Sequence, residues 1–344
     1  MVRWRNGPMA QLLVVGGRQR RGAVGLQEWQ AYDQARVVIV DTDSGMAELY
    51  WTYETPQHLS GPSHPSQVFK SGFLEGDRLW LVTLTEVTVW DCHQRRVVSR
   101  WSHPWFNDLH HVRPLDADHW LVANTGLDQV LKLNCRGEVT EQWGVGQVPT
   151  WERFDPEVDY RQVPTTKPHE THPNFVFIVE EDVWVTRFHP QDAICLSTER
   201  PALSIQAGGP HDGVELEGGI GFTTVNGFLG VCPRSFFFEP KDAPDPMQWT
   251  ELHSCRPDSD LLGWCRGLHF SSDSEAWVGF SRLRPTKFRR HVSWLKHGFR
   301  SVGLHGTAPT RIARYDVRTG ECLQEIDLEA VGLNAVFGIY EWDA

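Results

Sequence analysis

Residues 107–139 read NDLHHVRPLDADHWLVANTGLDQVLKLNCRGEV, and the way this stretch divides decides the fold. Four short runs rich in Val, Leu and Trp are broken by DAD, NTG and CRG, the spacing of a four-stranded antiparallel meander. One such sheet cannot bury both of its faces. Laid along the chain, the pattern returns at a period of about 40 residues, which predicts stacked, ring-like repetition rather than one continuous core.

Working outward, complete copies are expected at 66–102, 107–143, 171–207, 210–252 and 263–328. Trp80, Trp120, Trp184 and Trp277 take the same place in their second strands, and Phe222 stands in once. The segment 11–54 supplies three strands with no first strand before them, whereas GLNAVFGIY at 332–340 looks like a first strand with nothing after it. The two ends are therefore expected to complete one sheet (11–54 plus 332–341) and close the ring, removing its exposed edges. The reading is an all-β, six-bladed β-propeller, with the 344 residues forming one domain.

Because the four strands of a blade alternate in direction, the start of strand one, the two-to-three turn and the link to the next blade share one face. Three insertions, 17–34, 144–170 and 282–308, use these connections. Long loops in a compact domain are usually functional, so they are expected to form a lid or binding face, with decorative loops as the alternative.

Aligning the first strands on Val112, Val176, Val214, Phe270 and Val336 places His110, Asn174, Asp212, Leu268 and Asn334 two residues earlier, with Ser71 in the remaining copy. First strands line the channel of a propeller, so these side chains should meet near its mouth. A neutral imidazole at His110 suits zinc, manganese or iron, or it could act as a general base oriented by Asp212. His111, His172, His211 and His269 adjoin these positions; strand alternation argues against all four entering the channel.

The starts HPNFV and HDGV resemble the PNG and PDG strand starts of NHL-repeat and SMP-30/gluconolactonase-type six-bladed propellers, a superfamily of lactonases, phosphotriesterases and strictosidine-synthase-like proteins. The resemblance implies a calcium-dependent hydrolase, with Asn174 and Asp212 as calcium ligands and Asn334 in an equivalent ring position. Two departures stand against it. No Glu-Gly-Pro occurs at any first strand, and His110 stands where asparagine is usual; one Asp and two Asn supply calcium poorly.

The third insertion carries Arg282, Arg284, Lys287, Arg289, Arg290, Lys296 and Arg300 without one acid, in a chain whose formal net charge is -11. Arg18, Arg20 and Arg21 join the same rim, and Arg187 and Arg266 come from short loops beside the channel. Guanidinium groups above a channel favour carboxylate, phosphate or sulfate. Pairing with the acidic 144–170 loop is the alternative, as a closed lid or subunit contact.

The acidic balance disfavours nucleic acid. No apolar run spans a bilayer, no secretion signal is read at the start, and seven cysteines without regular spacing argue against a disulfide framework; the expected compartment is the cytoplasm. No GxSxG elbow, phosphate loop or HExxH motif is present. The expectation is an enzyme, metal-assisted hydrolase or lyase, using His110 and Asp212 on a small anionic or ester-containing molecule. Arg187, Arg266, Arg282, Arg284 and Lys287 would bind it, and a divalent metal would sit on His110, Asn174, Asp212 and Asn334. A non-catalytic propeller binding a ligand, a protein partner or a second copy of itself is the alternative.

Overall fold

The computed structural model describes residues 11–21, 26, 28–61, 65–238, 247–255, 263–282 and 308–343. Within them lie six four-stranded antiparallel sheets, and their order around the ring makes a six-bladed β-propeller. The sheet that contains both chain ends pairs Gln11–Gln19 with Ala335–Trp342 on one side and with Tyr32–Asp41 on the other, followed by Ala47–Tyr53. The ring is therefore closed by hydrogen bonds between residues more than 300 positions apart in sequence, Gln11 facing Trp342 and Gly17 facing Ala335.

Alternation along each strand sends apolar side chains to both faces of every blade, and neighbouring blades bury them against each other. Among the described residues each pair of adjacent blades shares one such cluster, and a seventh gathers Ala31, Tyr32, Val68, Ala335 and Phe337. Trp120, Trp184, Trp277 and Phe222 are buried in them at 0–2% exposure, Trp80 only partly so. Trp184 packs on Phe177 and Phe237, across the boundary between the blades of 173–204 and 214–251.

The first strands of the blades are Gly72–Glu75, Leu109–Pro114, Pro173–Val179, Val214–Glu215, Trp264–Phe270 and Ala335–Trp342. They lie against one another around the axis, so residues at their starts share one mouth. The first insertion is shorter than 17–34, because Arg18 still pairs with Gln34 and Gln19 with Tyr32 before the turn. The 144–170 insertion contains a helical turn at Thr150–Arg153 and a 3-10 turn at Tyr160–Gln162. It is pinned to its blade by Asn107, whose Nδ2 donates to the carbonyls of Tyr160 and Val163 at 2.8 Å. Of the third insertion only its ends are described. Arg284, Lys287 and the other basic residues between 283 and 307 lie outside the described residues.

One feature differs from the expectation for the cysteines. Cys255 and Cys322 form a disulfide, while the other five cysteines are not disulfide-bonded. Their separation of 67 residues follows no short-range pattern because the bond links the outer edges of consecutive blades. Among the described residues no helix is long and apolar enough to cross a membrane.

Candidate functional site at the insertion-bearing mouth

The mouth is built by irregularities in the first strands. In Leu109–Pro114 the ladder pairs Leu109 with Asn124 and His111 with Ala123, so His110 is the extra residue of a bulge. Asn174 is left over in the same way between Pro173 and Phe175. In Trp264–Phe270 the shift covers Arg266 and Gly267, and in the closing strand Phe337 is skipped between Val336 and Gly338. A bulge leaves its extra residue unpaired and re-aims the side chain. Gly267 adopts φ +83°, a conformation that favours glycine.

These bulges bring His110 and Asn174 together. The His110 Nδ1–H donates to Asn174 Oδ1 at 2.7 Å, and Asn174 Nδ2 donates to the Pro210 carbonyl at 2.8 Å. Lys70 Nζ donates to His110 Nε2 at 2.7 Å and to Asp108 Oδ1 at 3.0 Å. This fixes the tautomer of His110 with its proton on Nδ1. Burial and the nearby Lys70 charge push the His110 pKa down to about 3, so the ring is neutral at pH 7. Burial alone would raise the Asp108 carboxyl, but Lys70 holds it well below its ordinary value.

His172 stands perpendicular to His110, with ring centres 4.7 Å apart. Its backbone is left-handed, φ +56°, and this turn brings into the mouth a side chain that simple alternation would send elsewhere. Its Nδ1 meets Nδ1 of His169, from the end of the 144–170 insertion, at 2.8 Å. Burial lowers the pKa of both rings.

Asp212 is 1% exposed; its Oδ2 accepts from the Thr223 hydroxyl and from Gly267 N at 3.1 Å. Its other oxygen is 3.8 Å from Nδ1 of His211, too far for a hydrogen bond. His211 is only 4% exposed, and neither of its ring nitrogens has a hydrogen-bond partner. Burial lowers its pKa, so the ring is held neutral at pH 7 with two unsatisfied polar atoms. Three side chains gather around the ring of Phe337: Arg266 Cζ at 3.6 Å, Lys70 Nζ at 5.3 Å and the His211 ring at 6.2 Å.

The sequence-derived positions divide accordingly. His110, Asn174, Asp212 and Arg266 are at the mouth. Asn334 is not with them: its Oδ1 accepts from Gln19 N at 2.8 Å and its Nδ2 donates to Glu329 at 2.6 Å. Aligning the closing strand on Val336 sets its register off by three residues, and Phe337 occupies the bulge instead. Arg187 forms a two-pronged ion pair with Asp192 at 2.6 and 2.8 Å and donates to the Val145 carbonyl. Arg282 is tied to Gln19 and to Glu329. Lys70, Asp108 and Phe337 were not read as site residues, although Lys70 directly precedes the ring position Ser71 and Asp108 lies two residues before His110.

The donor set does not converge as a metal site. Asn174 gives its oxygen to His110, Asn334 lies elsewhere, and one Asp212 oxygen is taken by Thr223 and Gly267. Among the described residues no three His, Cys, Asp or Glu side chains are grouped to hold one ion.

Neither a family model nor a curated protein matches this chain. Solved structures do match. A protein of unknown function from Bacteroides caccae aligns over 98% of this chain and 100% of its own, with a TM-score of 0.60 and 11% identity. The likeness is one of fold. A chain of the nidogen/laminin complex aligns over 96% and 97%, TM-score 0.54, 8% identity. A functionally unknown protein from Desulfotomaculum acetoxidans aligns over 96% and 89%, TM-score 0.50, 9% identity. At these identities the propeller architecture is what is shared.

Proposed function

We propose that this propeller is an enzyme acting by general acid–base chemistry on a small carboxylate- or ester-bearing molecule held at the insertion-bearing mouth. One observation carries the reading: the buried His211 imidazole has no partner for either nitrogen, and it shares the Phe337 ring with Lys70 and Arg266. A buried polar group left unmade costs about 1 to 3 kcal/mol, and a ligand would supply the missing hydrogen bond. Lys70 and Arg266 would orient the anionic group. His211, neutral and beside Asp212, would take a proton from the substrate, Asp212 steadying the imidazolium as the 3.8 Å gap closes. The resemblance of HPNFV and HDGV to SMP-30/gluconolactonase-type strand starts supports a lyase or hydrolase. His110 and Asn174 bond to each other and Asp212 Oδ2 is held by Thr223 and Gly267, so no step is routed through a metal.

The test is His211→Phe, which removes both unpartnered nitrogens at similar volume. The unliganded variant should be more stable than the parent by about 1 kcal/mol or more in urea unfolding. Turnover should be lost, read by NMR as exchange of the proton α to the carboxylate across a panel of small mono- and dicarboxylates and their methyl esters. Thermal shifts by the same panel should persist in His211→Phe and vanish in Lys70→Met. A destabilised His211→Phe, or a Lys70→Met protein that responds to anions like the parent, would overturn the assignment. Binding by the parent without turnover of any member would favour a ligand-binding propeller instead.

A further inference from the structure

A chain of hydrogen bonds behind the mouth decides which nitrogen of His172 carries its proton. Burial lowers the pKa of His172 and His169, so at pH 7 each ring is neutral and holds one proton. The Thr166 hydroxyl also has one proton, and it has two oxygen acceptors in reach, the Gly126 carbonyl and Asn107 Oδ1 at 3.3 Å. The orientation of the Asn107 amide is set, because its Nδ2 donates to the Tyr160 and Val163 carbonyls. With its proton spent on one of these oxygens, Thr166 Oγ1 meets His169 Nε2 at 3.5 Å only as an acceptor. The His169 proton is therefore on Nε2, and its Nδ1 is a lone pair. At the 2.8 Å contact between the two Nδ1 atoms, His172 must then be the donor. Nε2 of His172 is left as a bare acceptor.

Among the described residues no hydrogen bond falls on that nitrogen, and the ring is partly exposed. His110 does not compete for the same role. Perpendicular to His172, with ring centres 4.7 Å apart, it spends Nδ1–H on Asn174 and its Nε2 lone pair on Lys70. The mouth thus presents the Lys70 ammonium on one side of the His110 ring and, one ring away, an imidazole lone pair that asks for a donor. A hydroxyl is the donor that suits it. An ammonium would give up far more hydration against the neutral rings of His110 and His169.

We infer that His172 determines specificity: its Nε2 accepts the hydroxyl of a small hydroxycarboxylate whose carboxylate lies at Lys70 and Arg266. The inference rests on the anion binding proposed for the mouth and adds the group that tells one acid from another. An acid without the hydroxyl would leave the lone pair unmet on binding, and a site built around a hydrogen bond rejects the analogue that lacks it. His172 orients the substrate; no bond is made or broken at it.

Titration calorimetry of the full chain at pH 7 tests this with two pairs of acids that differ by one hydroxyl, lactate against propionate and malate against succinate. The hydroxy acid of each pair should bind about tenfold more tightly. His172→Asn removes the acceptor with little strain, because asparagine tolerates the left-handed backbone at φ +56° and its side chain ends where Nδ1 stands. In that variant the affinity ratio within each pair should fall to about one, whereas Lys70→Met should weaken all of the acids. If His172→Asn does not fold, long-range proton–nitrogen correlation spectra of the isotope-labelled parent decide. Nε2 of His172 should appear as the unprotonated nitrogen and should shift with lactate but not with propionate. Equal affinities within both pairs, an undiminished ratio in His172→Asn, or a protonated Nε2 would overturn the role of His172 and leave anion binding at the mouth standing. A parent protein that binds none of the acids would overturn both.

Discussion

Asp128→Ala is expected to lower stability by about 3 to 5 kcal/mol, the range for removing one partner of a buried charge pair, and to release His172 from the mouth. The Asp128 side chain is 2% exposed and accepts five hydrogen bonds. They come from Arg153 Nη1 at 2.7 Å, the backbone N–H groups of Glu170, Thr171 and His172 at 2.7, 2.9 and 2.8 Å, and the Thr171 hydroxyl at 2.9 Å. One carboxylate thus ends the 144–170 insertion and holds the left-handed turn that aims His172 at His110. Alanine would leave a partly buried guanidinium and three N–H groups without that acceptor.

The pH dependence has a definite sign. Burial works to raise the Asp128 carboxyl, but the Arg153 hydrogen bond and the backbone donors overcome it, and the net pKa is lowered. A depressed carboxylate contributes stability that is fully present above its unfolded value, about 3.9, and is lost as pH falls through the lower folded value. Urea unfolding of parent and Asp128→Ala should therefore show a constant gap from pH 7 to about pH 5 that narrows below pH 4. Asp128→Asn, isosteric but uncharged and with one acceptor oxygen, should fall between the two at pH 7. A gap of the same size at pH 7 and pH 3 would show that the carboxylate charge is not what holds the turn.

The architecture was legible because it rests on signals repeated once per blade. Turn residues such as DAD, NTG and CRG bound short apolar runs, and Trp120, Trp184 and Trp277 recur at one place because each fills the same gap between blades. The site was legible only in part, because the mouth is made where the repeat breaks. A bulge adds one residue, which changes the face taken by everything beyond it. In the closing strand the bulge falls at Phe337, three residues beyond the position set by aligning on Val336, so Asn334 was read into the mouth and Phe337 was missed. Arg187 and Arg282 show the other limit: sequence reveals a guanidinium near a channel, but not the Asp192 or Glu329 that claims it. Lys70 and Asp108 lie ahead of their strands, where period-two reasoning does not reach.

Removing residues 333–344 is expected to abolish cooperative folding. The strand Ala335–Trp342 is the first strand of a blade whose other three lie at the opposite end of the chain, and it fills places in three buried clusters. Leu333, Val336, Phe337, Ile339 and Trp342 are each no more than 6% exposed. At about 1.5 to 3 kcal/mol for each buried side chain, their loss amounts to about 7.5 to 15 kcal/mol, an area-based figure that is an upper bound. That is comparable to the whole stability of an ordinary domain, about 5 to 15 kcal/mol. Deletion would also leave the backbone groups of Gln11–Gln19 as an open edge, a template for association with other chains. The truncated chain should accordingly aggregate or show no sharp unfolding transition, and a synthetic 333–344 peptide should restore one in a concentration-dependent way, since a ligand that binds only the folded ring stabilises it by mass action. A truncated monomer that unfolds at the parent's midpoint would mean that the ring does not depend on joining its two ends, and the placement of Phe337 beneath Lys70 and Arg266 would lose its structural cause.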